Sequence, residues 1–434
     1  MRQLYRFLTL VSLVSGSVAA WLLPGAGSAR ADAPAATPGE QRRQAIAFYE
    51  RRLAEDPQSA LDMAQLAALF MEEGRMAGDE RAFVSAESLA RRSLGERTRR
   101  NGRSAALLAN ALLAQHRFAE AAQAARDLVQ SDPETPAYRA LLAETLMELG
   151  DYAGAIGPLG SVRAQREELG IAPRFARWAE LTGQPGEARR ILRAARAEAT
   201  RRPDLSGEQK AWFSVRLADL ELRHGHLRGA SATIEDGLRD SPNDWRLLLA
   251  RGRLEAAQGS WSRALRSAEE VIAAVPSPEA LALLATAHEE LGNEEQARSL
   301  SMALEGMASR PSGVIHRSWA LALLDQGRDA AAIVAMTSVD TLVRQDLHTL
   351  DLLAWALHQA GRSAEALPIA RRAIRLGSVE PSLRYHAGMI EFAGGDAVLA
   401  ERHLTVALRG QRALAPSQVA AARETLATLA RRRK

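Results

Sequence analysis

The chain has 434 residues and no cysteine. Thiol catalysis, thiolate zinc sites, iron–sulfur ligation and disulfide scaffolds are therefore excluded. Among its nine histidines the one close pair is His224-Gly225-His226. Two imidazoles so placed need a third ligand to hold zinc. The pair straddles a predicted helix end, where it reads as two solvated side chains. Arg91-Arg92 and Arg371-Arg372 pair cations that would suit an anionic partner. Both pairs fall on outward-facing helices, where solvated arginines are the ordinary outcome. Arg431-Arg432-Arg433-Lys434 reads as a frayed basic end, with a surface or lipid contact as the alternative. No phosphate-binding GxxxxGK[ST] or GxGxxG loop, HExxH, GxSxG or EF-hand loop occurs in the sequence. No catalytic residue and no cofactor is predicted.

Residues that do no chemistry must instead build a surface, and the composition says of what kind. Alanine makes up about a fifth of the chain, and aromatics 5%. Alanine is the best helix former and is depleted in strands, so an all-α protein is predicted. The formal charge of +4 is local. Arg2, Arg6 and Arg30 lie in the first 31 residues with no acid beside them. The remainder holds 53 basic against 52 acidic residues, which does not make a nucleic-acid footprint.

Residues 1–31 read as an export signal. Arg2 and Arg6 precede an uncharged, mostly apolar run, Phe7 to Leu23. Pro24 and Gly25 break it, and Ala29-Arg30-Ala31 supplies a small-residue cleavage site. Cleavage after Ala31 would release a periplasmic or secreted protein. An uncleaved run would anchor the chain to a membrane, and membrane contact is expected only in that case. Residues 32–40 read as a disordered lead-in.

The rest of the chain is periodic. Gly74, Gly150, Gly183, Gly225, Gly259, Gly292, Gly327, Gly361 and Gly395 each follow a helix-like stretch, and His116 fills the gap between the first two. These sites suit a left-handed helix cap, which glycine adopts without a Cβ penalty. Five residues after each later cap stands an alanine: Ala121, Ala155, Ala188, Ala230, Ala264, Ala297, Ala332, Ala366 and Ala400. Seven residues before stands another small residue: Ala109, Ala143, Ala176, Ala218, Gly252, Ala285, Ala320, Ala354 and Gly388. Two columns of small residues let paired helices approach closely. Pro133, Pro242 and Pro276 recur between pairs. Two longer intervals mark insertions, one at Arg75 to Arg81 and one at residues 196–210, the latter read as a longer loop or a hinge.

This pattern resembles the tetratricopeptide repeat: small residues at positions 8 and 20, glycine near 15, proline near 32. The family's tryptophan at position 4 and tyrosine at position 11 are mostly missing. The resemblance implies a right-handed superhelical α-solenoid of about ten helix pairs. Residues 41–195 and 211–410 would form the array, opened by a half repeat at Gln41 to Asp56. Residues 411–434 would give a capping helix and a basic tail, with Val419, Ala422, Leu426 and Leu429 on the helix's inner face.

The resemblance also implies a protein- or peptide-binding scaffold that uses its concave groove. The family's groove positions fall here on Asn110, Arg177, Asp219 and Arg253. At the later end they fall on His348, Asp351, Trp355, His358, Tyr385 and Met389. Phe392 is expected to pack against the capping helix. The carboxylate-clamping pattern of some family members needs lysines that this chain lacks. The expectation is an exported, non-enzymatic, elongated monomer. A membrane-tethered assembly factor and a metalloprotein using His348, Asp351 and His358 are the alternatives.

Overall fold

A computed structural model describes residues 37–308, 317–325, 327 and 330–433. The export segment, residues 1–31, lies outside the described residues. Among those described there are twenty-two α-helices and no strand. They form two compact units: residues up to Gln115 with Arg202–Leu205, and His116–Arg201 with Ser206–Lys434.

The first unit holds the helices Pro38–Glu55, Ala60–Ala77, Glu80–Glu96 and Gly102–Ala114. Thr37 and Glu40 form a capping box that starts the first of these. The end of the predicted lead-in is therefore already helical. Met63, Leu66, Met71 and Leu89 form the core, with Ile46, Tyr49 and Leu53 against it. Gly74 departs from its predicted role as a cap. It lies inside Ala60–Ala77, and the left-handed cap is Gly78, at φ +63°. Gly74 is small for another reason: a Cβ there would sit 2.5 Å from the Phe83 ring.

In the second unit the helix Phe118–Ser131 leads into successive pairs. These are Pro136–Leu149 with Tyr152–Ser161, Ala172–Leu181 with Pro185–Arg201, Gly207–Arg223 with Leu227–Asp240, and Trp245–Ala257 with Trp261–Ala274. Then come Pro278–Glu290 with Glu294–Ala308, Arg317–Asp325 with Ala330–Val343, Leu347–Gln359 with Ser363–Ala373, and Pro381–Ala393 with Ala397–Arg409. Pro416–Arg432 closes the row, with Ala422 and Leu429 buried and Val419 and Leu426 half-buried against its neighbours. The insertion at residues 196–210 is absorbed by longer helices. Pro185–Arg201 runs on because Ala195 and Ala199 keep its inner face buried. The next helix then starts at Gly207 under a Ser206–Gln209 capping box.

The small column before the caps is buried throughout, from Ala109 to Gly388. At Gly388 even a methyl group would lie 2.7 Å from Leu404. The column after the caps has one exception. Ala332 is exposed, because Ala330–Val343 is turned to bury Ile333, Val334 and Thr337 instead.

The second unit curls until a later turn packs on an earlier one. The Gln345 amide donates to the Leu149 carbonyl at 2.9 Å. The Leu347 amide donates to the Tyr152 hydroxyl, 195 residues away, also at 2.9 Å. Arg375 lies over the Tyr152 ring and donates to the Gly150 carbonyl at 3.1 Å. Three successive caps meet the later turn: Gly150 meets Gln345 and Asp346, Gly183 meets Gly377, and Gly225 meets Gly410 and Ala413.

Candidate functional site: a charged inner cavity

Arg177 and Asp219 stand one after the other in the inner column, on the helices Ala172–Leu181 and Gly207–Arg223. The seam brings Arg317 and His348 of the later turn opposite them. Together with Glu148, Glu180, Arg216 and Arg223 they line a cavity of about 310 Å³.

Its ionic network is dense. Arg223 donates to both carboxylate oxygens of Glu180, at 2.9 and 3.1 Å, a two-pronged arrangement that only a guanidinium provides. Arg177 donates to Glu180 at 3.2 Å and to His348 Nδ1 at 3.2 Å. His348 Nε2 lies 2.8 Å from Glu380, and Arg317 donates to Asp351 at 3.0 Å. Burial alone would raise the Glu180 carboxyl pKa, but Arg223 and Arg177 outweigh it and hold it well below the usual range. The same contest, won by His348, Arg317 and Arg223, keeps Glu380 ionised. Arg216 is less bound: its nearest carboxylate, Glu144, is 4.0 Å away, and it stacks on Trp212.

The remaining predicted groove residues are placed differently. Arg253 lies 3.8 Å from Asp219 at the surface. Asn110, in the first unit, donates to the Ala106 carbonyl. Trp355 and Tyr385 are about 95% buried and offer no open anchor: Trp355 is 4% exposed and Tyr385 5%. Trp355 stacks on His386, with ring centres 4.3 Å apart, and on His358 at 5.2 Å. Asp351 fixes His386 through contacts of 2.9 and 3.0 Å. Met389 is half-buried and accepts a long bond from Thr425 of the closing helix. The closing helix also sets Arg432 over the Phe392 ring. Phe392 thus meets the closing helix as expected, whereas Trp355, His358, Tyr385 and Met389, expected to line a groove, pack within the later turn because that turn is also part of the unit's core.

His224 also departs from expectation. It is 7% exposed, with Nε2 3.5 Å from Glu180, because the cap it flanks packs under the later turn. Among the described residues no group of three or more His, Asp or Glu could hold a metal ion. No helix among them is long and apolar enough to cross a membrane. Sequence reasoning missed Arg223, Arg317, Glu180 and Glu380. Each lies in an ordinary amphipathic helix or loop, and only the seam brings them together.

Residues 107–166, 215–265, 249–304 and 352–417 match the tetratricopeptide repeat family. The chain belongs to that family. No curated protein matches this tetratricopeptide repeat protein in sequence. Among solved structures it is similar to a human IFIT1 dimer with PPP-AAAA, at 16% identity over 86% of this chain and 87% of that one, TM-score 0.46. It is similar to PilW, a type IV pilus biogenesis factor, at 16% identity over 49% of this chain and 96% of that one, TM-score 0.40. It is also similar to the APC/C hetero-tetramer Cut9-Hcn1, at 11% identity over 90% and 93%, TM-score 0.35.

Proposed function

We infer that this tetratricopeptide repeat protein is an exported, non-enzymatic scaffold that holds a protein or peptide segment against its charged inner face. One observation carries the reading. Arg177 and Asp219 share a cavity wall with Arg216, whose guanidinium has, among the described residues, no carboxylate nearer than Glu144 at 4.0 Å. Side chains of both signs on a rigid repeat surface suit a polar peptide segment, because they fix its register by charge complementarity. Export rests on Arg2, Arg6 and the apolar run Phe7 to Leu23. A photo-crosslinking residue in place of Arg216 or Asp219 tests the binding surface in the organism's own cells. Both sites should capture a discrete protein, and the exposed Arg201 position should not. Equal capture at Arg201, or none at the cavity, overturns the assignment. N-terminal sequencing separates the two export outcomes: a chain starting at Asp32 is released, and one retaining residues 7–23 is tethered.

A further inference from the structure

Many surface arginines of this chain are answered by an acid two or three residues away. Arg117 pairs with Glu120 at 2.6 Å, Arg190 with Glu187 at 2.7 Å, Arg202 with Asp204 at 2.6 Å and Arg362 with Glu365 at 2.7 Å. Even the basic end is engaged: Arg431 donates to Thr428 at 3.0 Å, Arg432 lies over the Phe392 ring and Arg433 pairs with Glu401.

The turn that follows Glu80–Glu96 in the first unit breaks this pattern. Arg92, Arg97, Arg99 and Arg100 are all exposed, and among the described residues none of the four pairs with a carboxylate. Arg92 and Arg97 reach only backbone carbonyls, of Pro57 at 3.4 Å and of Arg99 at 3.2 Å. Two acids stand near: Glu96 beside the turn, and Asp56, which accepts from the Gln58 amide at 3.3 Å. Four cations against two carboxylates leave the turn positive. Its backbone is fixed. Asn101 Nδ2 donates to the Ser93 carbonyl at 2.9 Å and to the Arg97 carbonyl at 3.2 Å. Ser93 donates to the Ala60 carbonyl at 2.7 Å, which ties the turn to the start of Ala60–Ala77. Arg100 adopts a left-handed backbone, φ +54°, where glycine is the usual residue. A charge is thus kept where the backbone alone would favour glycine.

We propose that this turn lies on the anionic phospholipid headgroups of a bilayer. Charge selects an anionic partner, and composition selects among those. Residues 95–103 hold no aromatic and no aliphatic side chain. Nothing there can stack on bases, as single-stranded nucleic acid requires. Nor is there an apolar anchor of the kind that carries protein–protein affinity. A layer of lipid phosphates needs neither, since guanidinium groups bind it by charge alone. The chain also delivers the turn to a membrane. Residues 24–36 separate the apolar run ending at Leu23 from the helix Pro38–Glu55. Those thirteen residues reach at most about 45 Å. The turn lies by Pro57, past the far end of that helix and about 27 Å from where the chain enters it. A retained apolar run therefore keeps the turn within reach of the same bilayer, and a cleaved chain returns to it weakly and reversibly. The contact is separate from the inner cavity and does not depend on what the cavity holds.

Because the chain has no cysteine, a dye on Thr98→Cys reports this turn alone. Energy transfer from the dye to headgroup-labelled lipid is measured for the full chain on two kinds of vesicle, phosphatidylcholine alone and phosphatidylcholine mixed with phosphatidylglycerol. Transfer should be higher on the anionic vesicles whether or not residues 7–23 are retained, and the excess should fade as salt is raised. Arg97→Gln, Arg99→Gln and Arg100→Gln should each weaken the anionic contact about fivefold, and together about 100-fold. Arg100→Gly is the sharper variant. It relieves the left-handed backbone, so its unfolding midpoint should match or exceed wild type while lipid contact falls. Arg362→Gln, which breaks only the surface pair with Glu365, should leave transfer unchanged. Far-UV circular dichroism of every variant should match wild type. Equal transfer on the two vesicles overturns the proposal, as does an excess that survives the triple change. A chain that shows no lipid excess, yet binds a single-stranded oligonucleotide or poly-glutamate through the same three arginines, also overturns it and assigns the turn to that partner.

Discussion

Gly150 and Gly361 end equivalent helices, at φ +86° and +76°, yet they stand in different surroundings. A Cβ on Gly361 would meet nothing within 4 Å, and the same holds at Gly259 and Gly292. A Cβ on Gly150 would lie 2.5 Å from the Asp346 amide nitrogen, and on Gly183 2.5 Å from the Gly377 carbonyl oxygen. All five satisfy the backbone geometry of a cap. Gly150 and Gly183 also let a second turn of the same chain lie directly on the cap. One residue type at one repeat position thus serves two physical ends, and only the distant partner tells them apart.

Alanine substitution separates the two most sharply. Gly361→Ala should cost about 1–2 kcal/mol, the penalty of a left-handed backbone. Gly150→Ala carries that penalty and drives a methyl group into backbone that cannot rotate away. A loss of about 3–4 kcal/mol is expected, in the range of overpacked cores. Urea unfolding measures both. Hydrogen exchange adds location: Gly150→Ala should expose the amides of Gln345 and Leu347, and Gly361→Ala should not. Equal costs would mean that the seam is not formed in solution.

The same distinction marks what the sequence could and could not disclose. The helix pairs, the buried small column and the closing helix follow from local periodicity, since each residue's role depends on neighbours within one repeat. The seam depends on how small rotations add up over five to six repeats, and no single residue encodes that sum. Trp355 and Tyr385 were therefore legible as groove positions but not as core. Arg177, Asp219 and His348 were legible as groove positions, but their convergence on one cavity was not. Gly74 misled because a glycine needed for the close approach of Phe83 looks like a glycine needed for a cap.

Acidification weakens the later turn whether or not the seam is intact. His403, buried beside Arg384, has its pKa pushed down to about 4, by burial first and by the Arg384 charge second. Its unfolded value is about 6.5, so the unfolded chain takes up a proton that the folded chain refuses. Stability is fully present above pH 6.5 and is lost as pH falls toward 4, by up to about 3 kcal/mol. Below that, Asp351 and Glu380, both held below their ordinary values, add a second loss as they protonate. Urea midpoints at pH 7 and 4.5 should fall in parallel for wild type and Gly150→Ala. His403→Gln should flatten the dependence. A Gly150→Ala offset that vanishes at pH 4.5 would tie this titration to the seam instead.

Two alanines at the same repeat position offer a smaller test away from the caps. Ala366 is fully buried and Ala332 is exposed. Ala366→Leu should cost about 1–3 kcal/mol by overpacking, and Ala332→Leu close to nothing. Equal costs would show that Ala330–Val343 faces inward as the repeat register predicts.

The smallest expected effect isolates one bond of the seam. The Tyr152 hydroxyl accepts from the Leu347 amide, and burial, with Asp346 nearby, pushes the phenol pKa up to about 12, so it stays protonated. Tyr152→Phe keeps the ring under Arg375 and removes only the acceptor. The Leu347 amide, first in its helix, has no intrahelical carbonyl to turn to. A buried donor without a partner costs about 1–3 kcal/mol, and the low end applies if water enters. The Leu347 amide should then exchange about tenfold faster, while the amides beside Gly361 keep their rates. If Leu347 exchanges no faster, the bond adds nothing, and the seam rests on the close approach of Gly150 and Gly183 alone.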